Sequence, residues 1–139
     1  MAGYSGTPLV KKLGLKEGSR LALVSAPEDF DETLGTLPTG ASTTRALGDA
    51  AEVSLLFVID AHDFPERFAR EAARVGPFGA VWVAWPKKAS GVKTDVTEGL
   101  VRTTGLRSGL VDVKVCAIDD VWSGLKFVTR VEDRPRNKS

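Results

Sequence analysis

The chain has 139 residues, of which 42% are hydrophobic and 27% charged, the proportions of one ordinary globular domain. Nineteen basic against eighteen acidic side chains leave a formal charge of +1, which excludes a general attraction to nucleic acid or anionic membrane and confines any basic site to a local cluster. A single cysteine, Cys116, excludes an internal disulfide, and no long apolar run or charged-then-apolar leader marks a membrane span or signal peptide, so a cytoplasmic location is expected.

Thr7, Pro8 and the lysines before Gly14 spell a short helix with a cap, a first-position proline and a closing glycine. A buried strand over 21–24 follows and runs into a helix over 27–35, with Pro27 at its first position and Glu28 and Asp29 at the positive end of its dipole. After the turn-rich stretch around Pro38 and Gly40, residues 42–47 form a weak strand candidate. The run from Val53 to Ile59 is nearly all apolar, the pattern of a parallel strand covered on both faces.

Asp63 and Glu66 have capping-box spacing, and Phe64, Phe68, Ala72 and Val75 recur along one face of the helix they open, until Gly76 and Pro77 end it. Residues 79–85 make a third buried strand, followed by the loop Pro86, Lys87, Lys88, Ala89, Ser90, Gly91 and a helix opened by Asp95 and Glu98. Val111, Val113, Val115 and Ala117 then alternate with Asp112, Lys114 and Cys116, and a second alternating run over 125–131 completes an antiparallel hairpin. The expected architecture is a Rossmann-like α/β three-layer sandwich, mostly parallel and ending in that hairpin, as one domain over 1–131 with a flexible tail over 132–139.

Residues 13–21, Leu-Gly-Leu-Lys-Glu-Gly-Ser-Arg-Leu, placed ahead of the first strand, and the terminal hairpin resemble the Rossmann-like methyltransferases that use S-adenosylmethionine. That family carries an acidic residue in the first strand and then a glycine-rich turn. Here Leu23 holds the acidic place, and Ser25 and Pro27 stand where glycines would be. The segments 3–9, 82–91 and 115–119, together with Trp122, Ser123, Gly124 and Leu125, look like the bacterial DUF3052 family, whose function is unknown. That likeness runs to about Arg130 and implies a fold without implying an activity.

Lys87 and Lys88 follow a central strand at its carboxyl end, the edge where open α/β sheets take ligands, and with Ser90 and Gly91 they make a candidate anion site. Ser25 at the glycine-free turn and Trp85 at the end of its strand are further candidates for a pocket wall, and Trp122 in the hairpin turn is a candidate interface residue. Trp82 and Trp85, three apart in one strand, point to opposite faces, with Trp82 in the core. Asp60 and the only histidine, His62, are more simply a loop than an acid-base pair, and Cys116 is an inert thiol inside a strand. The segment Gly3 to Thr7 precedes any strand and so lacks the context of a phosphate loop.

With neither a nucleophile elbow nor a metal motif, the leading expectation is a non-catalytic module that uses no cofactor. It binds a small anionic metabolite, nucleotide or partner protein around Lys87, Lys88, Ser90 and Gly91, and takes neither nucleic acid nor membrane. The alternatives are a minimal methyltransferase holding S-adenosylmethionine through Ser25, Glu28 and Asp60, and a structural module that dimerises through its edge strands or Trp122.

Overall fold

A computed structural model describes residues 8–135. The elements run α1 (Leu9–Leu13), β1 (Arg20–Val24), α2 (Phe30–Leu34), β2 (Ser42–Thr44), β3 (Val53–Phe57), α3 (Phe64–Val75), β4 (Ala80–Pro86), α4 (Glu98–Arg107), β5 (Leu110–Ala117) and β6 (Trp122–Thr129). The segment Gly3 to Thr7, including the expected cap Thr7, lies outside the described residues.

The six strands make one mixed sheet in the order β2-β1-β3-β4-β6-β5. Four neighbours, β2, β1, β3 and β4, are parallel, and β6 joins β4 antiparallel, with β5 outside it. Every residue of β3 and β4 is buried, as their unbroken apolar runs require of strands covered on both faces. Alternation then divides them. Leu55, Phe57 and Trp82 join Leu13, Leu21, Leu23 and Phe30 on one face. Leu56, Val81, Val83 and Trp85 join Phe64, Phe68, Leu125 and Phe127 on the other. Trp82 anchors the first face further, because its indole Nε1 donates to the Leu13 carbonyl at 3.1 Å.

Several local expectations are corrected. The helix after β1 starts at Phe30, because the carbonyl of Pro27 is used in a turn that accepts from the Phe30 amide at 3.1 Å. Neither expected capping box forms. Asp63 stands at the N-cap of α3 but its side chain makes no cap hydrogen bond, and Asp95 serves a different segment while Thr97 caps α4 through the Leu100 amide. The valines of β5 do not pack inward: Val113 is 53% and Val115 52% exposed, since β5 is an edge strand with a register shift between Asp112 and Lys114. Its one strong tie to a helix is polar, from Arg102 of α4 to Asp112 at 3.0 Å.

Glu71 sits on the inward face of α3, fully buried among the apolar residues that the periodicity picked out. Ser54 donates to it at 2.6 Å and Arg74 Nε at 2.6 Å, and Arg74 also donates to the carbonyls of Ala46 and Asp49. A buried carboxylate is tolerated only when so partnered. Beyond β6, Val131–Asp133 form a single 3₁₀ turn. Among the described residues no helix is long and apolar enough to cross a membrane.

Candidate functional site

Strand order reverses direction between β1 and β3, since β1 is followed by β2 on one side and β3 lies on the other. The crevice at the carboxyl ends of such a pair is where open α/β sheets usually bind ligands. Here it is spanned. Arg67, from the second turn of α3, donates through Nη2 to the Ser25 hydroxyl at 2.7 Å and to the Phe57 carbonyl at 3.3 Å. Arg45, just past β2, donates to the carbonyls of Ala26 at 3.3 Å and Pro27 at 3.2 Å on the same turn. Ser25 itself holds φ +61°, the left-handed region a glycine would favour, and is the one described non-glycine residue to do so.

The open cavity lies one strand further over, at the carboxyl ends of β3 and β4, with a volume of about 1170 Å³. Its apolar wall is Ile59, Trp85, Pro86 and Val92, and its polar rim is Asp60, Asp95 and Glu98 with Lys88 and Lys93. The loop after β4 is fastened to the end of β3 by two bonds: Thr94 Oγ1 donates to the Ile59 carbonyl at 2.7 Å, and Asp95 Oδ1 accepts from the Ala61 amide at 2.9 Å. Asp60 Oδ1 accepts from the His62 backbone amide at 2.8 Å, so its hydrogen bond is to the main chain and not to the imidazole. Glu98 is held by Arg102 at 2.9 Å. Trp85 is almost fully buried and offers an edge, while Ile59 and Val92 are 49% and 41% exposed.

Of the residues singled out from sequence, Asp60, Lys88, Gly91 and Trp85 line this cavity. Lys87 turns its amide to the Val121 carbonyl at 2.8 Å, and Ser90 closes the loop on itself, donating to the Lys87 carbonyl and accepting from the Val92 amide. Ser25 stands apart, at the turn that Arg67 occupies. Trp122 packs edge-on against Phe57 with ring centroids 4.9 Å apart, half-buried over the first core face. Cys116 is half-buried, and burial pushes its thiol up although Lys12 and Lys114 draw it down. Sequence reasoning missed Ile59, Val92, the side-chain role of Thr94, Arg45 and Arg67. For Thr94 the signal was a hydroxyl two residues before Val96, where its side chain accepts the Val96 amide. For the two arginines there was none, because their partners lie 10 to 42 residues away in the chain. Among the described residues no group of three His, Cys, Asp or Glu side chains is placed to hold a metal.

No family model matches the chain, so the DUF3052 likeness has no support from one, and no curated protein matches it in sequence. Solved structures do match in fold. A SAM-dependent methyltransferase from Aquifex aeolicus superposes with a TM-score of 0.57 at 14% identity, over 86% of each chain. The 1,6-didemethyltoxoflavin-N1-methyltransferase of Burkholderia thailandensis, with bound S-adenosylhomocysteine, gives 0.58 at 11% identity over 88% of this chain and 75% of its own. The magnesium protoporphyrin IX methyltransferase of Synechocystis, with bound SAH, gives 0.56 at 11% identity over 88% and 78%. The chain therefore has a methyltransferase-like mixed α/β fold. The expectation of no cofactor is corrected by these likenesses, since the neighbours are described with SAM or SAH and point to a ligand of that type rather than to none.

Proposed function

We propose that the chain binds an S-adenosyl nucleoside in the cavity at the carboxyl ends of β3 and β4, as a methyltransferase with an atypical cofactor turn. The observation that carries this reading is the position of the cavity: it opens at the ligand-binding edge of a methyltransferase-like sheet, while the usual crevice one strand away is bridged by Arg67.

The β1 turn does not fit the ligand. Ser25, Ala26 and Pro27 put side chains where close approach to backbone amides is needed, and Pro27 has no amide to offer. About twenty residues beyond such a turn, dinucleotide folds place an acid for the ribose hydroxyls. That place is held by Arg45, which is committed to the turn's own carbonyls. The cavity does fit. Asp60 has a second carboxylate oxygen to accept from a ribose diol, and Ile59, Val92 and the edge of Trp85 give an apolar slot for a purine. Glu98 is paired with Arg102, so Asp60 and Asp95 balance Lys88 and Lys93 on the rim, which then offers no net attraction to an anion and weakens the reading built on Lys87 and Lys88. What S-adenosylmethionine supplies when bound is an electrophilic methyl group. The chain's own part is to hold the nucleoside against the Ile59 to Trp85 wall and keep the carboxylates near its positive charge.

Thermal unfolding against S-adenosylmethionine, S-adenosylhomocysteine and nucleoside phosphates tests the reading. At a hundredfold excess over Kd, a bound ligand adds about 2.7 kcal/mol and raises the midpoint by roughly 8 to 10 °C. The expected result is a rise with the two S-adenosyl compounds, reduced in Asp60→Asn, and transfer of a labelled methyl group to an acceptor then establishes catalysis. A rise with nucleoside phosphates alone returns the anion-binding reading.

A further inference from the structure

Lys114 of β5 and Lys126 of β6 stand directly opposite each other in the strand register. Like charges so opposed destabilise a sheet. Lys126 pairs with Trp82 on the other side, which places both lysines on the first core face, the α1 side of the sheet. Their ammonium groups converge on one short stretch of backbone. Lys114 Nζ lies 3.5 Å from the Lys12 carbonyl oxygen, and Lys126 Nζ lies 3.5 Å from the point that a Cβ on Gly14 would occupy. Gly14 holds φ +84° as the cap of α1, so the spot that Lys126 reaches carries no side chain.

Lys126 is half-buried, and burial, then Lys114, then Lys16, all push its ammonium below the usual lysine range. Among the described residues no acidic group acts on it, and no ion pair includes Lys16, Lys114 or Lys126. A chain with near-zero net charge thus brings two cations, from β5 and β6, to the end of α1, with Lys16 of the α1–β1 turn near enough to act on Lys126.

From this convergence we infer that Lys16, Lys114 and Lys126 form a second binding site, for a compact oxyanion bearing several negative charges, of the oligophosphate class. An anion there relieves the opposed lysines and answers the desolvated ammonium. A nucleic-acid backbone would need cations spaced along successive phosphates, whereas these meet at one spot. The site is independent of the nucleoside cavity, which opens at the strand ends and is walled by Trp85 of the opposite core face.

Calorimetric titration with inorganic tripolyphosphate at low ionic strength tests the inference. Wild-type protein binds with an affinity that falls as salt rises. Lys126→Met and Lys114→Met each weaken binding about tenfold or more. Arg70→Met, which removes an exposed charge on α3, leaves binding unchanged. The lysine variants unfold no earlier than wild type, because each removes a like-charge opposition, and the Lys126 ammonium titrates at higher pH once tripolyphosphate is bound. Absence of binding to wild type, or equal weakening by Arg70→Met, overturns the proposal.

Discussion

Arg67 places its guanidinium 2.7 Å from the hydroxyl oxygen of Ser25, so the last residue before α2's lead-in turn and the second turn of α3 are tied across the strand-order reversal. The bond explains how a serine holds φ +61° where a glycine is the usual occupant. A non-glycine residue in that region costs of order 1–2 kcal/mol, and a hydrogen bond to a charged group returns about as much. Ser25→Ala keeps the strain and loses the bond, whereas Ser25→Gly loses the bond and the strain together. The glycine variant is therefore expected to be the more stable of the two, by about 1 kcal/mol, in urea unfolding. Equal stability, or the reverse order, contradicts this account of the turn.

The buried acid of α3 gives a larger effect. Glu71→Ala leaves Arg74, only 5% exposed at its side chain, without its carboxylate, and is expected to cost about 3–5 kcal/mol. Replacing both Glu71 and Arg74 by methionine removes the uncompensated charge, so the double variant is expected to be more stable than Glu71→Ala alone. Chemical denaturation of the three proteins checks the order.

Gly105 of α4 faces the ring of Phe127, and a Cβ at that position would overlap Phe127 Cε2. The ring has little room to retreat, because Phe68 is set edge-on against it with centroids 5.2 Å apart. Gly105→Ala gains helix propensity worth less than about 1 kcal/mol but overpacks the core by about 1–3 kcal/mol. A net loss of stability is expected in thermal unfolding, and a gain would mean that α4 stands further from the sheet.

Much of this fold is legible in the chain. The nearly all-apolar runs of β3 and β4 declare strands covered on both faces, because that pattern reflects burial directly, and the alternation over 111–131 declares a hairpin, although in β5 it does not follow burial. Asp63 does stand at the start of α3, without a cap bond from its side chain, whereas α4 starts behind Thr97 because the Asp95 carboxylate is taken by the Ala61 amide. Glu71 was hidden inside an apolar stripe because only Ser54 and Arg74, met through the fold, make its burial affordable. At the site, Lys88, Gly91 and Trp85 were found by their place at a strand end. Arg67 and Arg45 act across the tertiary structure, and nothing local to them announces it.

Acid should loosen the edge of the sheet. The hydrogen bond from Arg102 holds the Asp112 carboxyl below the usual aspartate range, ahead of the opposing effect of desolvation. A depressed folded-state value contributes stability that is present above the ordinary aspartate pKa and is lost as pH falls through the lowered one. Asp112 is partly exposed, and solvent screening keeps the contribution small. Asp112→Asn is expected to flatten the acid limb of the stability profile below the ordinary aspartate range and to leave the neutral region little changed. An unchanged acid limb contradicts the assignment.

The most direct test of the cavity's role is a ¹⁵N-resolved NMR titration with S-adenosylhomocysteine. The account predicts that shifts concentrate on the amides of Ile59, Asp60, Gly91 and Val92 and on the indole of Trp85, the walls of the cavity between β3 and β4. Shifts centred on Ser25, Ala26 and the Arg45 region would place the ligand in the crevice that Arg67 spans, and with no shifts at all the chain would not bind it; either result contradicts the account.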